Sequence, residues 1–180
     1  MPLRDYLQPS RVLHVELGDH DALDTYTFRI DSVTDGLRVH WQMGRADDGD
    51  LHYTAEALTS ARGFSGISQG NVDFADDGDK PSKVKHSTPP FLLSREVFAA
   101  LHVGPTMIFL PSMGEALEFT LGAAGKREIT VLGETRNVAV LALGSERVDM
   151  TVLDDPDCPL VLERSEWGED TVHLLEITAA

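Results

Sequence analysis

Polar and apolar residues alternate along most of the chain, with a period of two residues. The alternation is clearest in three runs, at residues 26–30, 37–43 and 117–121. Successive side chains of a β-strand point to opposite faces, so this pattern predicts strands with one buried face and one hydrated face. The chain is therefore predicted to be mainly β.

Short clusters of turn-forming residues separate the alternating runs. These clusters lie at residues 34–36, 46–50, 122–125, 133 and 144–145. Consecutive strands joined by short turns form an antiparallel meander. The strands are predicted at residues 11–17, 24–33, 37–44, 51–58, 107–110, 115–121, 128–132, 137–143, 147–153, 160–164 and 171–177.

The hairpin around Asp47 has a predicted register. The apolar residues of its two strands must share one buried face, because a slip of one residue would expose one of the two sets. Pairing Met43 with Tyr53 meets this condition, leaves a loop at residues 46–50 and places His40 opposite Glu56. The buried set is then Leu37, Val39, Trp41, Met43, Leu51, Tyr53, Ala55 and Ala57, and His40 and His52 share the hydrated face.

Residues 59–90 break the strand pattern. They are rich in Gly, Ser, Asp, Lys and Pro and carry few apolar residues, so we expect a long irregular and mobile segment. The basic run at residues 80–86 is expected to be a solvated part of this loop. Trypsin is expected to cut first near Lys80, Lys83 or Lys85.

One short helix is predicted after the irregular segment. Ser94 is a suitable N-cap, and Gly104 followed by Pro105 ends the helix. A helix this short is marginal on its own, so it must pack against the sheet. Its apolar stripe, formed by Val97, Phe98 and Leu101, is expected to be buried there.

The 180 residues, 42% of them hydrophobic, predict a single β-rich domain spanning 1–180.

The charge of the chain is its most unusual compositional property. The net charge of −15 argues against binding to nucleic acid, which requires a surface that neutralises phosphates. The acidity serves either solubility or attraction of a basic protein partner. The excess of Arg over Lys and the abundance of Ala, Gly, Asp and Val indicate a bacterial source.

Targeting signals are not recognisable in the sequence. No window approaches the ~20 apolar residues of a membrane span. Residues 1–18 lack the charged start, apolar run and small-residue cleavage site of a secretory signal. We therefore expect a soluble, cytoplasmic protein.

Two residues invite a nucleophilic interpretation. Ser68 lies in a G-x-S-x-G pattern at residues 66–70, but its flanks fit neither the strand nor the helix that a nucleophile elbow requires. Cys158, the single cysteine, lies among Asp154, Asp155 and Asp157, whose charges raise a thiol's pKa and suppress the thiolate. No catalytic residue is assigned.

Acidic turns and histidines raise the question of a metal. A calcium loop starting at Asp73 would have Ala75 and Val84 at positions that need oxygen ligands. His40, His52 and Glu56 together could hold zinc or iron, but exposed strands carry such residues routinely. The sequence therefore predicts no metal and no cofactor.

The closing part of the chain, from about residue 90, resembles a known structural family. Gly133-Glu134 precedes the strand at 137–143, residues 151–156 read Thr-Val-Leu-Asp-Asp-Pro, and Pro159 opens Leu160-Val161-Leu162. This order is similar to half-barrel proteins related to periplasmic lipoprotein carriers, and more so to an uncharacterised bacterial group of similar shape. The resemblance implies a sheet curled around a helix, with an apolar concavity for an acyl chain or a partner's hydrophobic tail.

We predict a strongly curved antiparallel sheet, a half-barrel, wrapped around one short helix, with a closed β-barrel or a β-sandwich as the alternative. The concave face is the expected ligand site, lined by Trp41, Phe98, Phe119 and Leu121. The predicted function is a non-catalytic binding protein for an apolar small molecule or a protein partner. The alternatives are an interaction or assembly protein acting through its acidic surface or a sheet edge, including as an oligomer, and a hydrolase of unknown substrate.

Overall fold

A single curved sheet dominates the structure. The computed structural model describes residues 6–19, 22–45, 47–65 and 84–180. Within these residues the chain forms eleven strands, all joined in one large curved sheet, and two short helices. The prediction of a mainly β fold built on a curved sheet is confirmed, and a second helix is added to the one predicted.

The elements follow one another along the sheet with few crossovers. Hydrogen-bonded neighbours run in the order β5-β4-β3-β2-β1-β11-β10-β9-β8-β7-β6. In chain order the elements are β1 (Arg11–Asp19), β2 (Ala22–Ser32), β3 (Gly36–Met43), β4 (Asp47–Thr54), α1 (Ala55–Ser60), β5 (Val84–Lys85), α2 (Arg95–Leu101), β6 (Thr106–Leu110), β7 (Glu115–Val131), β8 (Glu134–Gly144), β9 (Val148–Leu153), β10 (Val161–Glu166) and β11 (Glu169–Ala179).

The long strand β7 connects two parts of the sheet. Its first part pairs with β6, while its end runs parallel to β11 at Val131 and Ile177. We predicted two strands here with a turn at 122–125, and that prediction is wrong. A β-bulge between Leu121 and Ala124 lets the strand continue along β8. Glycine at such a position marks a bulge as readily as a turn.

The β3–β4 hairpin has a different register from the predicted one. Met43 lies opposite Asp47 rather than Tyr53, which pairs with Leu37. Gly44 adopts a φ of 60°, which permits a tight turn, so the acidic residues that follow extend β4 instead of forming a loop. The predicted and observed registers differ by an even number of residues. Both therefore keep the same faces buried, and the face pattern alone cannot choose between them.

Helix α1 replaces the end of a predicted strand. The strand was expected to reach residue 58, but β4 ends at Thr54, whose hydroxyl accepts a hydrogen bond from the Ala57 amide at 3.1 Å. An N-cap of this kind, followed by Glu56 in the first turn, favours a helix. His40 consequently lies opposite Asp50 and not opposite Glu56.

Helix α2 forms where it was predicted. The Ser94 hydroxyl caps it by accepting from the Val97 amide at 3.3 Å. Phe98 and Leu101 are buried, as predicted, and the helix contacts α1, β6 and β7.

Within the described ranges, no helix has the length and apolar character needed to cross a membrane.

The predicted irregular segment 59–90 is described only at its two ends. Residues 66–83, which include Ser68, the second acidic turn and most of the basic run, lie outside the described residues. Gly63 forms an isolated β-bridge with Phe109 of β6, and Phe64 forms one with Thr88. Lys85 of β5 pairs with Tyr53 of β4 and is 1% exposed. The expectation of a solvated loop is therefore wrong for this residue.

Candidate functional site

The hairpin between β10 and β11 presents a tryptophan at its tip. Glu166 pairs with Glu169, which leaves a two-residue turn of Trp167 and Gly168 with φ values of 57° and 84°. Positive φ at both positions is the geometry of a tight hairpin turn, in which Asn, Asp or Gly usually comes first. A left-handed conformation costs an ordinary residue about 1–2 kcal/mol. The turn at Leu132 and Gly133 has the same pair of positive φ values, so this backbone conformation belongs to the turn type. What distinguishes Trp167 is a large aromatic ring at the tip of a hairpin, 61% exposed.

Arg147 holds the ring of Trp167 from one side. Its Cζ lies 5.2 Å from the ring centroid, within the range of a cation–π contact. Its carbonyl accepts a hydrogen bond from the Trp167 amide at 2.8 Å. Its Nη2 lies 2.7 Å from Glu115 Oε1 and 3.1 Å from Glu146 Oε1. We call these four residues, Trp167, Arg147, Glu115 and Glu146, the Trp167 corner.

A small open cavity lies beside the Trp167 corner. Its volume is about 260 Å³. Asp149 pairs with Ser165, and each lies two residues along the chain from a member of the corner. Arg147 directly precedes β9 and Trp167 directly follows β10, so the cavity lies close to the corner along both strands. We call this cavity the β9–β10 pocket, and its lining residues are Ala142, Leu143, Asp149, Met150, Thr151, Glu163 and Ser165.

Carboxylates outnumber cations in the pocket and the corner. Asp149 and Glu163 line the pocket, and Glu115 and Glu146 belong to the corner. The guanidinium groups that face these four carboxylates are those of Arg147 and of Arg127, whose Nη2 lies 3.7 Å from Glu163 Oε2. Exposed ion pairs of this kind contribute little to stability, but the unbalanced charge creates a negative local field.

A buried ion pair lies on β10, the strand that leads into the Trp167 turn. Arg164 Nε is 3.3 Å from Glu166 Oε1 and donates to Thr171 Oγ1 at 3.1 Å. Glu166 also accepts a hydrogen bond from the Ser112 hydroxyl at 2.8 Å. Burial lowers the pKa of Arg164, and the charge of Glu166 opposes that shift. These bonds tie the base of the hairpin that carries Trp167 to the turn before β7.

The four predicted ligand residues lie in or against the hydrophobic core. Trp41, Phe98 and Phe119 are buried members of one hydrophobic cluster, and Leu121 is partly buried against it. At these positions the concave face is occupied by the chain's own side chains. Their role in binding a ligand stays a prediction.

The two predicted histidines share a face, but carboxylates occupy the ring nitrogens of His40. Its Nδ1 lies 2.8 Å from Asp50 Oδ1 and its Nε2 lies 3.5 Å from Asp48 Oδ2. His52 Nε2 instead lies 3.1 Å from the carbonyl of Asp35. Among the residues that the structure describes, no three His, Cys, Asp or Glu side chains form a group that could hold a metal ion.

Cys158 is buried, and its thiol is protected. Burial is the largest cause that raises its pKa to about 12, and the charge of Asp155 adds to the effect. The predicted rise in pKa is therefore confirmed, but burial contributes more than the carboxylates on which the prediction was based. A thiol with so high a pKa is a poor nucleophile at neutral pH.

Sequence reasoning did not single out Trp167 or Arg147. One local signal was available, because Trp-Gly stands between the strands predicted at 160–164 and 171–177, where a hairpin turn must form. The β9–β10 pocket had no local signal, since it depends on the order of three strands. Comparison of the chain with protein-family models, curated proteins and solved structures finds no match.

Proposed function

We propose that this chain is a non-catalytic binding protein that takes a basic protein segment on the Trp167 corner. The observation that carries the proposal is the exposed Trp167 ring, held in a tight hairpin turn and supported by Arg147. Tryptophan and arginine are the residues most enriched at the energetic centres of protein interfaces. A ring that already rests against Arg147 loses less conformational entropy on binding than an unsupported one.

Charge decides which kind of partner fits. The corner adds Glu115 and Glu146 around a single arginine, and the whole chain carries a net charge of −15. A field of this sign speeds the approach of a cationic partner and repels an acidic one. Lysine and arginine side chains can also lie against the face of an indole ring.

An apolar ligand in the concave face is the less favoured function. That face would need space between Trp41, Phe98 and Phe119, but all three are buried members of one hydrophobic cluster. The β9–β10 pocket is small and open, and its lining combines two carboxylates and two hydroxyls with Ala142, Leu143 and Met150, so it does not offer the deep apolar space that an acyl chain needs.

Calorimetric titration with short peptides tests the proposal. An arginine-rich peptide is expected to bind with an affinity that falls as salt is added, and a glutamate-rich peptide of equal length is expected not to bind. Trp167→Ala should weaken binding at least about tenfold, as truncation of an interface anchor does. Val103→Ala is the matched control, because Val103 is 92% exposed and lies outside the corner. Equal affinity of the parent protein and Trp167→Ala would exclude the corner as the binding site.

A further inference from the structure

We infer that the β9–β10 pocket receives one arginine side chain of the basic partner. This inference rests on the proposed function and adds the identity of the side chain that is recognised. The pocket lies next to the Trp167 corner along the chain, because Asp149 follows Arg147 by two residues and its partner Ser165 precedes Trp167 by two residues. A partner segment of several residues seated on the corner can therefore reach the pocket with one side chain.

The size of the pocket matches a side chain. Sites for drug-sized ligands measure about 300–1,000 Å³. The β9–β10 pocket, at about 260 Å³ and open to solvent, is smaller than that range. One long side chain reaching in from a partner fits in such a space, and water occupies the rest.

The polar part of the lining, on β9 and β10, alternates carboxylates and hydroxyls in a pattern that suits a guanidinium, and Ala142, Leu143 and Met150 complete the lining. Thr151 pairs with Glu163 and Asp149 pairs with Ser165, so each carboxylate faces a hydroxyl across the strands and the two carboxylates lie on a diagonal. Asp149 Oδ1 leans towards β8, 3.5 Å from the position that a Cβ on Gly144 would take. A guanidinium carries five donors in one plane and can bond to several such acceptors at once.

The corner and the pocket rim already bind guanidinium groups of the chain itself. Arg147 lies against the Trp167 ring and pairs with Glu115, and Arg127 pairs with Glu163 at the pocket rim. Both are arginines, which stack on aromatic rings and form forked contacts with carboxylates better than lysines do. The pocket offers the further carboxylate of Asp149 and two hydroxyls to an incoming arginine.

The test separates the pocket from the corner. Ala142→Phe fills the pocket from β8, and Ala139→Phe, at an exposed position of the same strand outside the pocket lining, is its matched control. Methylguanidinium is the small probe, and amide NMR shifts report where it binds. We expect shifts at Thr151 and Ser165 in the parent protein and in Ala139→Phe, and none in Ala142→Phe. Ala142→Phe should also weaken binding of the arginine-rich peptide at least about tenfold.

A second pair of measurements tests arginine specificity and the charge of the pocket. Asp149→Asn should weaken binding of the arginine-rich peptide. Glu134→Gln, which removes a charge at a different hairpin, should leave that binding unchanged. A lysine-rich peptide of equal length should bind several-fold more weakly. Equal binding of the lysine and arginine peptides would overturn the inference.

The outcomes distinguish the inference from the proposed function. Suppose that Trp167→Ala weakens peptide binding, Ala142→Phe does not, and methylguanidinium shifts no amide signal of the pocket. The proposed function then stands and the pocket inference is wrong. If methylguanidinium binds the pocket but no peptide depends on Trp167, the proposed function is wrong, and the pocket is a site for small cations instead of a partner's arginine.

Discussion

Arg164 and Glu166 lie two residues apart on β10 and form an ion pair inside the protein, with Nε of Arg164 3.3 Å from Oε1 of Glu166. Both side chains are buried, and Ser112 and Thr171 supply further hydrogen bonds to the pair. In the described part of the chain, Nη1 of Arg164 has no hydrogen-bond partner. The pair is therefore well supported on the glutamate side and incompletely satisfied on the arginine side.

Removing one partner of this pair should destabilise the protein more than removing both. Glu166→Gln leaves the Arg164 charge buried without a counter-ion, which should cost about 3–5 kcal/mol. The double variant Arg164→Met/Glu166→Leu removes both charges and should lie close to the parent protein or above it in stability. Urea unfolding of the single and double variants measures the coupling. Additive losses would show that the two charges do not stabilise each other.

Truncating the buried face of α2 should be costly. Phe98 is buried, and its ring centroid lies 4.9 Å from that of His102. Phe98→Ala leaves a cavity in the core and should lower the free energy of unfolding by about 3–5 kcal/mol. Val103→Ala, at a largely exposed position beyond the same helix, should change it by less than about 0.5 kcal/mol. A loss below about 1 kcal/mol for Phe98→Ala would mean that α2 is peripheral to the core.

Gly49 should tolerate no side chain. A Cβ at this position would lie 2.8 Å from Nε1 of Trp41, which is closer than real contacts allow. Gly49→Ala therefore forces the indole or the β3–β4 hairpin to move, and overpacking of this kind costs about 1–3 kcal/mol. Gly125→Ala is the control, because its Cβ would meet Val140 at an ordinary 3.8 Å. Thermal unfolding compares the two, and equal melting temperatures would contradict the close Trp41 contact.

The buried thiol of Cys158 should make the protein less stable in alkali. Its pKa is raised to about 12 in the folded protein, chiefly by burial, whereas an unfolded cysteine titrates near about 8.5. Between these values the unfolded chain loses a proton that the folded chain keeps, so stability falls as the pH rises. Burial also raises the pKa of Tyr53, which adds an effect of the same sign at still higher pH.

Cys158→Ala separates the two contributions. The variant should lose stability less steeply than the parent protein between about pH 9 and pH 12. Of the two contributions described above, it keeps that of Tyr53 and lacks that of Cys158. Thiol reagents should modify Cys158 slowly in the folded protein at pH 8 and quickly in urea. Rapid modification of the folded protein would contradict the burial of this side chain.

The alternation of side chains was enough to predict most strands, because each strand has a face that must be buried. It was not enough at β4 and α1. An even shift of the hairpin keeps every face in place, and Ala55 and Ala57 fit an alternating strand as well as the first turn of a helix. The turn at Gly44 and the cap at Thr54 decide these two cases, and each depends on one or two backbone angles.

The sequence by itself determined most of the strands along the chain, the buried stripe of α2 and the excess of acidic residues, since each follows from local pattern or composition. The tertiary structure alone decided that Arg147 meets Trp167, that β7 reaches β11, and that Asp149 and Glu163 line one pocket. These relationships join strands through the twist and curvature of the whole sheet. Twist and curvature arise from packing across many strands, so no single segment of the sequence encodes them.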